Sequence, residues 1–369
     1  MELVEFYKPR RLSPARLDRY LAGGWFRSSN GLFRNQLLCL DGKLCTVVNI
    51  RLDLRTHQFR ASQRKLLNRL SNCRVEIGPL DICDDMEHLY EHTKLRFKGF
   101  VFPNLHSFLY DFMDRAIFDS YQVRVYKNEN LIAASIFDCG EKGIMSVLGL
   151  YHPAYKSWSP GILTMLLEIQ WGMEQGFHYY YPGYVLDESD SFDYKQRLGR
   201  FQFLNKNHRW TYHYDEVVAS SRVPNIVGKS DTLQAELEAK GIPHKRLFYK
   251  LFSLGYAYPE GTFLRHPLIF ILPELSENPF KVSIASFNPE SGLFQLSHPL
   301  PVQDEFLSQH QSKEFQDTET YYDLVLQENQ EDTQSFTSAR ALANEVTKKL
   351  QRMHEQHGYR HISLIKTMS

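Results

Sequence analysis

Five side chains that could transfer a proton or bind a charged substrate lie between positions 152 and 195. His152 is a candidate general base because the pKa of an unperturbed imidazole lies near neutrality, and a capping or surface role is its alternative. Glu168 could relay a proton or simply pair with a basic residue. Tyr181 and Tyr184 are out of phase in an aromatic strand, which predicts that one faces the core and the other a cleft. Lys195 could bind a carboxylate or a phosphate.

A helix and an interrupted strand must position these side chains. Ser159-Pro160-Gly161 predicts a helix start whose N–H groups could face an anionic or carbonyl oxygen. The apolar stripe of this helix repeats with helical spacing, and Gly176 is placed to end it. The stripe consists of Ile162, Leu166, Ile169 and Met173. Residues 178–185 predict the next strand, and Pro182-Gly183 predicts a bulge or splay that exposes backbone groups beside residues 149–151.

The chain divides into three predicted blocks with an α/β pattern. Residues 1–75 contain a strand, Leu44–Leu54, and a helix, Arg55–Asn72. Residues 80–222 contain a helix, three consecutive strands, a loop, the long helix and the interrupted strand. Residues 223–369 form an extension of unknown role in which we recognise no chemistry. Its predicted elements are a helix at Ser230–Lys240, strands near Leu268–Leu272 and Lys281–Phe287, and a helix at Ser338–Gln356.

The formal net charge of the chain is zero, but the charge is unevenly distributed. Residues 1–75 contain 15 basic and five acidic residues, and most of the basic ones are arginine. Residues 301–335 contain nine acidic residues and a single lysine. A basic N-terminal block predicts a polyanion-binding surface with salt-dependent affinity. The alternative is a solvated basic face balanced by an acidic segment.

Composition narrows the class of protein further. Hydrophobic residues make up 43% of the chain and charged residues 23%, which is typical of a globular protein. The sequence contains no apolar run long enough to span a membrane and no signal-peptide core. Cys39 and Cys45 lie close together without the spacing of a four-ligand site, so we expect free thiols and no metal. We therefore expect a cytoplasmic protein without a cofactor and without a membrane partner.

The order strand, strand, strand, loop, helix, splayed strand resembles the core of GNAT-like acyltransferases. A colinear series of motifs is more specific, and it resembles the arginyl/leucyl-tRNA–protein transferases of the N-end rule. In the middle block the series is Ser146-Val-Leu-Gly-Leu-Tyr-His-Pro-Ala-Tyr155, Ser159-Pro-Gly161, Leu167-Glu168-Ile169, Tyr179-Tyr-Tyr-Pro-Gly-Tyr184 and Tyr194-Lys195. In the basic block it is Gly24-Trp25-Phe26-Arg27-Ser28, Ile50-Arg-Leu-Asp53 and Ser62-Gln-Arg-Lys-Leu-Leu67.

The resemblance implies transfer of an amino acid, most simply arginine, from aminoacyl-tRNA to the N-terminal α-amine of acceptor proteins. Acceptors beginning with Asp or Glu would be marked for degradation. The RNA donor and the acceptor N-termini would be the partners, with no DNA partner. The implied substrate-binding residues are Tyr151, Ser159, Gly161, Tyr194 and Lys195, beside the catalytic candidates His152, Glu168, Tyr181 and Tyr184. The residues expected to contact the tRNA backbone are Arg27, Arg51, Arg64 and Lys65.

The chain departs from the family pattern at three places. The cysteine cluster is missing, His152 replaces an aspartate, and Pro160 replaces a leucine in the Ser-Leu-Gly turn. The chain would thus be a divergent member with a C-terminal extension of about 150 residues. Two alternatives stay open: a non-catalytic relative that binds tRNA or peptide, and a GNAT-like enzyme that uses acyl-CoA. The short Ser-Trp-Ser-Pro-Gly segment is a weak pyrophosphate site and favours a donor other than CoA.

Overall fold

A computed structural model describes residues 2–97, 101–110, 116–257, 263–275, 281–303, 317–328 and 330–366. The helices are α1 Pro14–Ala22, α2 Ala61–Leu67, α3 Asp84–Lys94, α4 Leu105–Tyr110, α5 Pro160–Glu174, α6 Tyr214–Ala219, α7 Val223–Ala239, α8 Leu254–Ala257 and α9 Ala339–Lys366. The strands are β1 Val4–Tyr7, β2 Phe26–Ser28, β3 Gly31–Asn35, β4 Leu37–Leu40, β5 Lys43–Asp53, β6 Arg74–Pro79, β7 Ser120–Lys127, β8 Asn130–Cys139, β9 Gly143–Tyr151, β10 Tyr179–Tyr181, β11 Tyr184–Leu186, β12 Gln202–Leu204, β13 Trp210–Thr211, β14 Lys245–Phe248, β15 Leu268–Ile271, β16 Ile284–Asn288, β17 Leu293–Ser297, β18 Leu300–Val302, β19 Val325–Gln327 and β20 Gln334–Phe336.

A ten-stranded sheet carries the middle of the molecule. Its strand order is β13-β12-β5-β10-β9-β8-β7-β6, and β4 and β11 also pair with β5. The antiparallel strands β7, β8 and β9 follow one another as predicted, and α5 crosses over so that β10 runs parallel to β9. The predicted α/β class and the predicted order of elements are therefore confirmed.

Helix α5 packs its apolar stripe on this sheet. Ile162, Leu166 and Ile169 are buried in the largest hydrophobic core, together with Ile50 and Leu52 of β5. Arg51, between these two β5 residues, faces the opposite side of the sheet because side chains alternate along a strand. Gly176 has a φ of +80° just after α5, which is the backbone conformation that favours glycine at a helix end.

The basic block is built into the same sheet. Strand β5, predicted as Leu44–Leu54, pairs with β10 and β11 of the middle block. The predicted helix Arg55–Asn72 is shorter, because α2 begins at Ala61. Its start is fixed by Gln63, whose side-chain oxygen accepts a hydrogen bond of 2.7 Å from the Arg60 N–H. The boundaries of the three blocks stay a prediction.

The last block forms a five-stranded antiparallel sheet in the order β14-β15-β16-β17-β20. Helices α7 and α9 pack on it through a shared apolar core that includes Leu233 and Leu342. A second core joins this block to the N-terminus through Leu3 and Leu37. The predicted helices and strands of this block are all present, although α7 begins earlier, at Val223. Among the described residues, no helix combines the length and apolar character that crossing a membrane requires.

Candidate functional site

Strand β10 pairs with only the first three residues of β9, and the chain after β10 then diverges from β9. Tyr179, Tyr180 and Tyr181 pair in parallel with Gly143, Ile144 and Met145. Beyond Gly183, whose φ is +102°, β11 pairs instead with β5. The Ile50 N–H donates a hydrogen bond of 3.1 Å to the Gly183 carbonyl and holds the chain in this turn. We call the divergence of β9 residues 146–151 from β11 residues 184–186 the strand split; it is the splay that Pro182-Gly183 predicted.

A bulge in β9 lies at the beginning of the strand split. Phe137 of β8 pairs with Ser146 and Ile136 pairs with Leu148, so Val147 is an extra residue without a partner in β8. Ser146 is half-buried and is the first residue of β9 past its last pair with β10. The bulge therefore re-aims the backbone where the two parallel strands separate.

A buried carboxyl group lies beside Ser146. The Tyr180 hydroxyl donates a hydrogen bond of 2.6 Å to Glu168 Oε2, and both side chains are fully buried. Glu168 Oε1 accepts no hydrogen bond from the described residues. Burial raises the pKa of Glu168 to about 7, and the hydroxyl groups of Ser135, Tyr180 and Ser146 limit the rise. Near neutral pH this carboxyl group can both accept and release a proton.

Lys195 is a buried lysine next to the strand split. It lies on a short 3₁₀ helix, Asp190–Leu198, and its Nζ donates a hydrogen bond of 3.0 Å to the Tyr184 carbonyl. The rings of Tyr184 and Phe192 lie 5.2 and 4.8 Å from Nζ. No carboxylate among the described residues pairs with it. Burial lowers the pKa of Lys195 to about 7.

The start of α5 lies against the far end of β9. Ser159 is in the left-handed conformation with φ 55°, and its side chain makes no capping hydrogen bond. Gly149 of β9 is exposed, and a Cβ there would lie 4.0 Å from the Cα of Gly161. The close approach brings the N–H groups of α5 next to the strand split, as the Ser-Pro-Gly turn predicted.

His152 does not join Glu168 and Lys195. It is exposed, and its Nδ1 accepts a hydrogen bond of 3.2 Å from the Ala154 N–H, capping the 3₁₀ turn that follows β9. This hydrogen bond fits the capping role that was its alternative. The role of His152 as a general base stays a prediction. Tyr151 stacks under Arg96, whose guanidinium carbon lies 3.8 Å from the ring centroid.

The two tyrosines of the interrupted strand differ in environment. Tyr181 is 3% exposed and faces away from α5, and its hydroxyl accepts a hydrogen bond of 3.4 Å from Arg51. Tyr184 is half-buried and packs edge-to-face on Phe26, and burial raises its pKa to about 12. Tyr194 is 45% exposed and lies next to Lys195.

The four basic residues expected to contact tRNA do not share a surface. Arg27 is buried in an ion pair of 2.9 Å with Asp138, and its Nη2 also donates 2.6 Å to the Leu109 carbonyl. The prediction that Arg27 contacts tRNA is therefore wrong, because phosphate cannot reach a guanidinium that is already desolvated and paired. Arg64 and Lys65 are exposed on α2, which packs on the α5 side of the sheet, whereas Arg51 faces the other side.

Two features of the site were not singled out from the sequence. The motifs include Ser146 and Tyr180 but give neither residue a role of its own. Their signal was the alternation of the strand, which puts Tyr180 on the side of Glu168 and Tyr181 on the other. The five cysteines are free thiols, three of them buried. In the part of the chain that the structure describes, no group of three His, Cys, Asp or Glu residues is arranged to hold a metal ion.

Comparison with known proteins shows what this chain is similar to. Residues 82–205 match the family model "Arginine-tRNA-protein transferase, C terminus". An aspartate/glutamate leucyltransferase of Campylobacter jejuni is 25% identical over 181 residues, covering 47% of this chain and 72% of that protein. The proteins of the same name from Helicobacter hepaticus and Leptospira interrogans are each 26% identical, covering 55% and 57% of this chain and 93% and 83% of their own lengths.

The solved structures share less sequence identity with this chain than the curated relatives do. The C-terminal domain of a putative lysylphosphatidylglycerol synthetase from Agrobacterium fabrum is 15% identical with a TM-score of 0.30, covering 38% of this chain and 46% of that one. A tandem GNAT protein from the clavulanic acid biosynthesis pathway is 11% identical with a TM-score of 0.28, covering 54% and 58%. This chain thus spans only about half the length of either structure. The family model and the curated relatives agree with each other, and both support a relationship to the N-end rule aminoacyltransferases, at modest sequence identity.

Proposed function

We propose that this protein transfers an amino acid from aminoacyl-tRNA to the N-terminal α-amine of proteins that begin with Asp or Glu. The observation that carries the proposal is the pair of buried ionisable groups at the strand split, Glu168 and Lys195. The amine attacks the ester carbonyl carbon, an amide bond forms, and the ester oxygen leaves with the tRNA. Because the ester is already activated, the protein must chiefly align two substrates and remove a proton.

In the proposed reaction, Lys195 explains the preference for acceptors that begin with Asp or Glu. Its ammonium group is desolvated and unpaired by any described carboxylate, so an Asp or Glu side chain entering the split would form a charge-assisted hydrogen bond with it. A bound carboxylate favours the charged form of the lysine and raises its pKa again. The surrounding rings of Tyr184 and Phe192 exclude water and strengthen this interaction.

In the proposed reaction, Glu168 receives the proton that the acceptor amine must lose. The α-amine of an acceptor arrives as an ammonium ion and must lose a proton before it can attack. The Ser146 hydroxyl lies beside Glu168 at the start of the split, so a proton can pass from the ammonium through this hydroxyl to the carboxylate. In this scheme Glu168 acts through Ser146 and is a positioning and proton-holding residue. The pKa of about 7 suits that task at neutral pH.

For the donated amino acid we propose leucine, which the curated relatives are named for. Arginine is the second candidate because the matching family model is named for it and the sequence motifs favoured it. The test incubates the purified chain with leucyl-tRNA or arginyl-tRNA, each carrying a labelled amino acid, and with peptides that begin with Asp, Glu or Ala. We expect label on the Asp and Glu peptides only.

Two outcomes would overturn the proposal. Retained tRNA binding without transfer from either donor would identify the non-catalytic relative. Label appearing equally on the Ala peptide would remove the role of Lys195 in acceptor choice. Acyl-CoA enters as a control ligand: protection of the protein from thermal unfolding by acetyl-CoA would favour the acyl-CoA enzyme instead, because a ligand that binds only the folded state raises its stability.

A further inference from the structure

A surface of interleaved arginines and aromatic rings lies on the side of the sheet opposite α5. We call it the arginine–aromatic face, and it consists of Arg51, Arg55, Arg200, Tyr179, Trp210 and Tyr212. The function derived above does not use it. Arg51 lies on β5, Arg55 follows the end of β5, and Tyr179 lies on β10. The other three residues lie on the β12–β13 hairpin or beside it.

The arginines of this face lie close to its rings. The guanidinium carbon of Arg51 is 4.0 Å from the ring centroid of Tyr179 and 4.5 Å from that of Trp210, so Arg51 sits between two rings. Arg55 lies 5.1 Å from Tyr179 and donates a hydrogen bond of 3.1 Å to its hydroxyl. Arg55 also donates to both carboxylate oxygens of Asp53, and Arg51 donates to the Gln202 side chain and the Tyr181 hydroxyl. Such contacts hold the guanidinium groups in place beside the rings.

The outer end of the face is open to solvent. Tyr212 is 42% exposed, and the exposed Arg200 lies 4.4 Å from its ring centroid. No described carboxylate forms an ion pair with Arg200 or Arg51, and Asp53 pairs only with Arg55. Two further exposed cations, Lys206 and Arg209, lie in the connection between β12 and β13. The face therefore has a positive charge and a ring with one side uncovered.

Strand register puts these residues on one side of the sheet. Gln202 pairs with Arg51, and Arg51 Nε donates a hydrogen bond of 2.7 Å to its side-chain oxygen. Trp210 packs edge-to-face on Tyr181 with centroids 5.8 Å apart, and Tyr181 immediately precedes Pro182-Gly183. The face thus runs from Tyr212 at its outer end to the strand split at its inner end.

We propose that the arginine–aromatic face binds the unpaired nucleotides at the 3′ end of the donor RNA, with a base stacked on Tyr212. The inference rests on the proposed function, in which the aminoacyl ester at that end must reach the strand split. Unpaired bases stack on aromatic rings and guanidinium planes, and their phosphates pair with arginine. Bases within a duplex are already stacked on each other, so a duplex makes no use of an exposed ring. The exposed basic side chains of α2, in contrast, offer positive charge but no aromatic ring.

The test measures binding of uncharged tRNA to the full chain by fluorescence anisotropy at several salt concentrations. One probe is the intact tRNA, and the other is the same tRNA with its unpaired 3′ nucleotides removed. We expect the wild-type chain to bind the intact tRNA at least tenfold more tightly, which corresponds to one or two stacked bases. The double variant Arg200→Glu, Tyr212→Ala should bind both probes with the affinity that the wild type has for the truncated tRNA.

The matched control is Lys240→Glu, an exposed charge reversal at the end of α7, which should keep the preference for the intact tRNA. Equal wild-type affinity for the two probes would overturn the inference, as would a double variant that keeps the preference. A double variant that loses the same affinity for both probes would also overturn it, because the face would then contact the duplex. This binding measurement requires no turnover, so its outcome is separate from the transfer assay that tests the proposed function.

Discussion

The Tyr180 hydroxyl donates a hydrogen bond of 2.6 Å to Glu168 Oε2 inside the interface between β10 and α5. The pair is fully buried, yet the bulged strand β9 brings Ser146 alongside it at the point where the sheet opens. Burial raises the pKa of this carboxyl group to about 7, so its ionised form destabilises the folded state at alkaline pH. Its presence at a gap between strands fits the proton-holding role that we propose for Glu168.

Glu168→Gln is the first variant to test this interpretation. Glutamine keeps the shape and can accept the Tyr180 hydrogen bond, but it cannot hold the proton. We expect the transfer rate to fall by about 10²- to 10⁴-fold and the rise of rate with pH near 7 to disappear. Tyr180→Phe is the matched variant: it removes a hydrogen bond that lowers the pKa of Glu168, so the rise should move to higher pH. A Glu168→Gln protein with the wild-type pH profile would contradict the role.

The same variant changes stability in a defined pH window. The pKa of Glu168 is near 4.5 in the unfolded chain and about 7 in the folded one, so the folded state holds an extra proton between these values. Stability therefore falls as pH rises from about 4.5 to about 7, by on the order of 3 kcal/mol in total. Urea unfolding at pH 4 and pH 8 should show that Glu168→Gln gains stability relative to the wild type at the higher pH only.

Lys195→Met is the second variant. The apolar side chain removes the cation that we place against the acceptor carboxylate, so KM for an Asp-initiated peptide should rise by about tenfold or more. In the wild-type chain the same KM should increase above pH 7, where Lys195 loses its proton. An unchanged KM for the Asp-initiated peptide in Lys195→Met would refute the assignment.

Lys195→Met should also stabilise the protein. The folded pKa of about 7 lies below the unfolded value of 10.5, so burying the charged lysine costs most below pH 7 and nothing above about 10.5. Wild-type stability should thus rise with pH across that window, and the variant should lack the rise. At pH 6 we expect the variant to unfold at a higher urea concentration than the wild type, because its free energy of unfolding is larger by several kcal/mol.

The elements of the fold were largely predictable from local pattern. The alternation in β5 and the stripe of α5 follow from burial of one face, and Pro182-Gly183 predicted where the strand breaks. The length of the α2 helix was not predictable in the same way. Residues 55–60 are compatible with helix by propensity, but the reciprocal hydrogen bonds of Arg60 and Gln63 fix the start at Ala61.

The candidate site was predictable in position but only partly in residue roles. The sequence offered Glu168 and Lys195 as candidates, and their catalytic and binding roles stay predictions. Arg27 is buried because it pairs with Asp138, which lies 111 residues away in the sequence and is not linked to it by any local pattern. Likewise the capping role of His152 requires the backbone of the 3₁₀ turn. Long-range partners decide whether a charge is exposed or paired, and spacing alone cannot reveal them.

Gly183→Ala tests whether the turn at the strand split needs glycine. The φ of +102° is strained for alanine, and the added Cβ would lie 3.1 Å from Lys195 Nζ. We expect a loss of about 1–2 kcal/mol and a lower transfer rate. Gly176→Ala is the matched control, since it has φ +80° with nothing within 4 Å. It should lose comparable stability and keep its activity; equal rate losses in both would show that only strain matters.

Arg27→Met tests the buried ion pair. The variant leaves Asp138 buried without its partner, so unfolding free energy should fall by about 3–5 kcal/mol. Asp138→Asn together with Arg27→Met removes the orphaned charge and should recover part of the loss. At a temperature where the single variant remains folded, tRNA affinity should equal that of the wild type. A selective loss of tRNA affinity would restore Arg27 as a tRNA contact.

The double variant Arg64→Glu, Lys65→Glu tests the exposed basic side chains of α2. These residues lie on the α5 side of the sheet, and reversing both should weaken tRNA binding and make its salt dependence shallower if phosphates contact them. Because α2 offers no exposed ring, we expect equal loss for intact tRNA and for tRNA without its unpaired 3′ end. Lys240→Glu again controls for overall charge. Unchanged affinity and salt dependence would make α2 a solvated face and leave the arginine–aromatic face as the RNA contact, since the two surfaces lie on opposite sides of one sheet.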